Sequence, residues 1–272
     1  MSLLFIEMRR ALTRRVVRVL ILIALLLCAL AGIIAFAASS GKTIAELHNQ
    51  YGDPSPAILT DWWVAANSDG AVLIAAFFLL IGGLFGGAAV AGAEWRAGTI
   101  TTVLTWEPRR VRLHLCRTAA CAILAFVIAL VLQMIFLASF LPAVLVNGTT
   151  AGADLDFWIS LGLVIVRVAS ITSIAAVFSV ALATIGRNTA FALAVVFAWF
   201  AVIESMIRGL RPGWAQYLWG EQIATVVPWD QIEGEGFSRG PLLALFTIIA
   251  YTAVLVIAAT LDFRRRDIAG IS

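Results

Sequence analysis

Apolar residues gather in six long runs, at about 17–38, 70–93, 116–140, 157–185, 189–207 and 242–261, with short polar stretches between them. Each run is close to or above the roughly 20 residues with which a helix crosses about 30 Å of hydrocarbon. Lipid offers no partner to an open backbone, so every run predicts a helix. Little chain is left over. The pattern therefore predicts one all-α polytopic membrane domain over 1–272 with six transmembrane helices. Ahead of the first run, residues 1–16 mix Leu3, Leu4, Phe5, Ile6, Met8 and Leu12 with Glu7 and arginines. Two readings stand for this segment: a helix along the membrane surface with its apolar side in the headgroups, or an extension of the first span. The first run also exceeds the about 7–15 apolar residues of a signal peptide, so it reads as a retained span.

Composition excludes a water-soluble globular domain, with 62% hydrophobic residues, 13% charged and a mean hydropathy of +0.99. Charge adds orientation. Fourteen arginines fall on one side of the six-span plan: Arg9, Arg10, Arg14, Arg15, Arg18, Arg96, Arg109, Arg110, Arg112, Arg117, Arg187, Arg264, Arg265 and Arg266. Lys42, Arg208, Arg211 and Arg239 fall on the other, where most acids also lie, and Arg167 sits inside a span. Positive residues mark the cytoplasmic face, which predicts cytoplasmic N- and C-termini. The net charge of +3 is thus a topology signal, and no nucleic-acid partner is expected. No outer loop carries a cysteine, which excludes an external disulfide framework. His48 and His114 lie on opposite sides and no ligand spacing appears, so no metal site is expected.

Polar residues inside spans are costly and therefore informative. Arg167, Glu204 and Gln133 are expected to meet in the outer half of the bundle, either as an interhelical tie or along a substrate path. Trp199, midway along the fifth run, reads as a cavity wall or as bundle filling. Gly82, Gly83, Gly86 and Gly87 give two overlapping small-xxx-small patterns, for packing within the chain or for a seam between copies. Of the outer loops, 39–69 reads as polar with a turn cluster at Tyr51–Pro56 and Trp62-Trp63 near re-entry. Residues 208–241 interleave Trp214, Tyr217, Trp219 and Trp229 with polar residues, and predict one or two short helices in the outer leaflet, as anchor or gate.

No catalytic residues emerge. Gly41-Lys42-Thr43 looks like the end of a phosphate-binding loop, but Phe36 stands where that motif needs its first glycine. No histidine lies beside a reactive serine, so the chain itself is not read as an enzyme. The distinctive feature is the excursion at 94–115. An apolar, glycine-rich span ends at Glu94-Trp95-Arg96-Ala97-Gly98-Thr99, continues through Trp106-Glu107-Pro108-Arg109-Arg110 and re-enters the membrane.

Glu94, Gly98-Thr99, Leu104, Pro108, Arg110 and Arg117, with Phe263 and Arg265-Arg266-Asp267 near the C-terminus and the six-span plan, resemble the membrane subunits of bacterial type V ABC exporters, the class of many drug-efflux permeases. The resemblance covers the whole chain. Arg117 stands where many relatives have lysine. It implies a multi-pass permease of the bacterial plasma membrane, paired with a second permease copy, identical or a sister, and with separate ABC-type ATP-binding subunits. Those subunits would carry the ATP and magnesium, and this chain would carry no cofactor. The cargo would be amphipathic or lipid-like, moved outward by alternating access. The excursion would be the coupling segment, with Glu94 and Arg96 making charged contacts, Gly98 bending the chain and Trp106 anchoring it. Trp95, Thr99, Thr102, Arg109 and Arg110 would complete the contact, and Pro108 would end it. A motor-independent membrane protein, either an ion-coupled carrier or an immunity or scaffold protein, is the other reading. The carrier form is expected to show internal repeats, and none is visible.

Overall fold

The structure, a computed structural model, describes residues 3–49, 54–63, 70–100, 105, 107–234 and 237–265. Among them are six helices long and apolar enough to cross a membrane: Arg15–Ser39, Ala71–Arg96, Arg110–Asn147, Leu155–Gly186, the broken segment Thr189–Leu210, and Pro241–Arg265. We call these spans 1 to 6. A separate helix, α1 (Leu3–Thr13), precedes span 1 and is split from it at Arg14. The protein is an α-helical multi-pass membrane chain.

Spans 3 and 4 outrun the hydropathy pattern. Span 3 has 38 residues, roughly 57 Å at 1.5 Å per residue, against the 116–140 expected. Hydropathy marks where hydrocarbon begins, whereas the helix continues for as long as its backbone bonds are unbroken. The basic stretch Arg110–Arg117 is consequently helical, and the excursion expected at 94–115 narrows to residues 97–109.

Span 5 is not one regular helix. Thr189–Phe197 passes through a π turn at Ala198–Ile203 into Glu204–Leu210. The π turn puts the Glu204 amide on the Trp199 carbonyl, five residues back. Span 5 starts cleanly, because the Asn188 side chain accepts from the Ala190 amide at 2.8 Å as an N-cap.

The chain divides into two compact units. One comprises Met1–Arg18, Gly82–Phe126 and Ile171–Ser272; the other comprises Val19–Ile81 and Val127–Ser170. In the second unit spans 1 and 3 approach closely, since a Cβ on Gly32 would lie 2.4 Å from the Ser139 carbonyl. Their far ends are tied by the Asn147 amide, which donates to Ser39 Oγ at 3.0 Å and to the Phe36 carbonyl at 3.3 Å. The loop expected to be polar at 39–69 holds an apolar plug: Ala57, Ile58, Leu59, Trp62 and Trp63 are all buried. Ile58 bridges Thr149, Gly148 sits tight against Ala57, and the Trp62 ring lies 6.1 Å from Phe140. Three apolar residues and then two, split by Thr60-Asp61, are too short a signal to stand out beside true spans. In the same loop Gly41-Lys42-Thr43 begins a short helix, α2 (Ile44–Asn49). Thr43 and Glu46 cap each other: the Thr43 amide donates to Glu46 Oε2 at 2.7 Å, and the Glu46 amide to Thr43 Oγ1 at 3.3 Å.

In the first unit the two glycine patterns separate by face. A Cβ on Gly83 would lie 2.7 Å from the Thr172 carbonyl, and one on Gly87 2.2 Å from that of Ala176, so these two let span 2 press against span 4. Gly82 and Gly86 look onto open space. The 208–241 segment contains the expected short helix, α3 (Trp219–Val226), preceded by a 3-10 turn over Pro212–Tyr217. It also holds a hairpin that was not expected, β1 (Ile232–Gly234) paired antiparallel with β2 (Phe237–Arg239). The Gly234-Glu235-Gly236 stretch was its available signal.

Candidate functional site: a buried clamp behind an exposed elbow

The end of span 2 is the hub of the first unit. Glu94, expected as an outward contact, faces inward and is 2% exposed. Arg14 Nη2 lies 2.6 Å from its Oε1, Arg10 Nη1 3.3 Å from the same oxygen, and Arg117 Nη2 2.5 Å from Oε2. The Arg117 contact is an ion pair by distance but lacks hydrogen-bond alignment, so its contribution is Coulombic rather than directional. Glu7 of α1 completes the group, with Arg117 Nε at 3.4 Å and Arg10 Nη1 at 3.7 Å. Burial pulls the Arg14 guanidinium below the usual arginine range, and Glu94 beside it acts in the opposite direction.

The N-terminal segment is a helix of its own, broken from span 1 at Arg14, rather than a plain extension of that span. Glu7 and Ala11 turn inward, while Phe5, Ile6 and Leu12 are exposed. Buried carboxylates need cations, and Glu7 and Glu94 take theirs from Arg10 of α1, Arg14 at the break before span 1 and Arg117 of span 3.

Trp95 fixes the other flank. Its ring meets Phe263 of span 6 edge-on at 6.1 Å, and the Arg187 guanidinium lies over it at 5.3 Å. Arg187 takes a left-handed backbone, φ 53°, in the turn between spans 4 and 5. His114 of span 3 packs on the same Phe263 ring at 5.9 Å. Gly92 admits Thr189 of span 5 so closely that a Cβ there would lie 2.2 Å from Thr189 Oγ1. The start of span 1, the end of span 2, the start of span 3, the span 4–5 turn and the end of span 6 therefore meet in one place, as alternating up-and-down spans require.

Beyond the hub the chain turns outward. Gly98 is exposed with φ 64°, a backbone that favours glycine, and Thr99 is exposed beside it. Ile100 turns back in and is 1% exposed. Pro108 and Arg109 are exposed and Arg110 is half-buried as it starts span 3. Glu107 accepts from Arg112 at 3.3 Å. Thr102, Trp106 and Leu104 lie outside the described residues, as do Arg266, Asp267 and the side chain of Arg96.

The expected cluster of Arg167, Glu204 and Gln133 is not what holds Glu204. Its carboxylate accepts from Trp199 Nε1 at 3.1 Å and from the Gly220 amide at 3.2 Å through both oxygens. Arg208 adds a contact at 3.5 Å and also pairs with Glu221 at 2.8 Å. Glu204 thus caps the start of α3 from span 5, a role that spacing along one helix could not reveal. Trp199 is 39% exposed with its indole N–H held by Glu204. The Gln133 amide is fully buried with no hydrogen-bond partner among the described residues, and Arg167 is half-buried.

The fold and hub define a largely α-helical chain in which six helices, among the described residues, are long and apolar enough to cross a membrane, with an elbow mounted on buried ion pairs. No protein-family model matches this chain, and no curated protein matches it.

Proposed function

We propose that the chain is the membrane subunit of an ATP-driven exporter, moved by a separate ATP-binding subunit that engages the elbow at residues 97–109. The termini then lie in the cytoplasm and the membrane is the bacterial plasma membrane. Two permease chains carry two motors, and an amphipathic or lipid-like cargo leaves by alternating access. ATP and magnesium belong to the motor.

The observation that carries this reading is mechanical. An exposed tip formed by Gly98, Thr99, Pro108 and Arg109 is rooted at Glu94 and Trp95, and those two roots are locked to α1 and to spans 3 and 6 and the span 4–5 turn. A push on the tip is delivered to several helices at once. Glu94 then positions the elbow and does not touch the motor. A connector held only by lipid phosphates needs no such rooting.

The test is co-expression with the ABC-type ATP-binding subunits of the source genome, one at a time. A stable complex is expected, together with nucleotide hydrolysis that falls at least tenfold on Arg109→Glu while the complex still reaches the membrane. Failure to form a complex, with export unaffected by the same change, overturns the reading and favours the motor-independent alternative.

A further inference from the structure

Arg239, the last residue of β2, is 8% exposed, yet its partners among the described residues are all neutral. Its Nε donates to Gln222 Oε1 at 3.2 Å, and its Nη2 donates to Thr247 Oγ1. The Gln222 amide is held in this orientation because its Nε2 donates to the Gln216 carbonyl. Thr247 gives its own proton to the Leu243 carbonyl at 2.7 Å, and so offers Arg239 only lone pairs. The guanidinium carbon lies 5.7 Å from the centre of the Tyr217 ring. By contrast, buried Arg117 faces two carboxylates and Arg14 faces one. A cation taken from water and given neutral partners recovers only part of its hydration. The local field worsens the imbalance, because Arg239 lies two residues ahead of span 6, whose first turn has no acid and whose N-terminus carries its own partial positive charge.

We infer that Arg239, with Gln222, Thr247 and Tyr217 around it, binds the phosphate headgroup of an amphipathic molecule. A guanidinium suits phosphate because its donors are planar and forked, and Nη1 is the arm not committed to Gln222 or Thr247. The amphipathic part follows from the surroundings. Tyr217 is 52% and Trp214 64% exposed, and the adjoining first turns of span 6 expose Leu242 and Phe246. Tryptophan and tyrosine favour the membrane–water boundary, and Leu242 and Phe246 offer an acyl chain a path along span 6. This inference does not depend on the exporter reading.

The test uses the full chain in dodecyl maltoside, with thermal unfolding followed by tryptophan fluorescence. The probes are dioctanoyl phosphatidic acid, dioctanoylglycerol and inorganic phosphate at equal concentration. Phosphatidic acid is expected to raise the melting temperature saturably, and the other two to leave it within error. Arg239→Gln is expected to abolish that rise while melting, without probe, at or above the parent temperature, since it removes an uncompensated charge. Arg239→Lys, which keeps the charge and loses the fork, is expected to need about tenfold more phosphatidic acid. A response to inorganic phosphate as large as that to phosphatidic acid overturns the amphipathic assignment. A rise that survives Arg239→Gln, or a variant that melts well below the parent and shows that Arg239 serves the fold alone, overturns the site.

Discussion

Glu94 gives the sharpest energetic prediction. Replacing it with alanine leaves Arg10, Arg14 and Arg117 around an empty space, with Glu7 alone among the described residues pairing with any of the three. The three contacts do not contribute equally. Arg10 is 34% exposed, so water already screens it, and its share is under about 1 kcal/mol. Arg14 and Arg117 are 16% and 5% exposed at 2.6 and 2.5 Å. Removing one partner of such a buried pair costs about 3–5 kcal/mol, because the survivors stay buried and uncompensated. At roughly 2–4 °C per kcal/mol for a chain of about this size, Glu94→Ala lowers the melting temperature by about 6–20 °C. Glu94→Gln keeps the shape, loses the charge and should forfeit most of the same amount. The assay is thermal unfolding of purified protein in detergent, with amide exchange read separately over Leu3–Thr13. Exchange there should quicken as α1 loses its tether, while amides of span 6 stay protected. A loss below about 2 °C for both variants, with α1 exchange unchanged, would refute the closed ion cluster.

Neighbouring glycines should behave oppositely. Gly87→Ala drives a methyl into the Ala176 carbonyl and should cost about 1–3 kcal/mol, whereas Gly86→Ala meets open space and should be neutral or slightly stabilising; equal losses would contradict the span 2–span 4 contact. The Thr43 amide and hydroxyl hold the Glu46 carboxyl below its usual 4.5. The cap it provides to α2 is therefore complete above that value and lost as pH falls through the lower folded one. Protection of the α2 amides, corrected for intrinsic exchange, should drop over that window in the parent and be flat in Glu46→Gln. Glu204→Ala removes a charged acceptor from the Gly220 amide, worth about 1.5–3 kcal/mol, so α3 amides should exchange roughly tenfold faster or more; an unchanged rate means another group caps that helix.

Hydropathy located all six spans, because the hydrocarbon requirement acts on every residue of a crossing segment. Hydropathy does not show where helices continue past the bilayer, so Arg110–Leu115 reads as loop although it lies in the first turns of span 3. The arginine bias pointed to the ends that converge at Glu94 and Trp95. Whether Glu94 turns in or out is invisible in the sequence, since a helix end carries charged residues in either case and Arg14 reaches it from eighty positions away. Glu204 stands out in the sequence for its cost in a membrane, but its hold on Trp199 and Gly220 does not. The π turn and the return of Gly220 are tertiary facts, and neither is written in the spacing of Arg167, Gln133 and Glu204. The plug at Ala57–Trp63 and the hairpin at Ile232–Arg239 were missed for a related reason: short segments gain their order from what they pack against.

The proposal that a foreign motor pushes the elbow is tested most directly by photo-crosslinking in native membranes. p-Benzoylphenylalanine at Thr99 or Arg109, both exposed on the elbow, should form a covalent adduct with the ATP-binding subunit, and a non-hydrolysable ATP analogue should change its yield. The same residue at exposed Trp214 should give none. Adducts only with lipid from the elbow positions, or the same protein adduct from Trp214, would contradict the account.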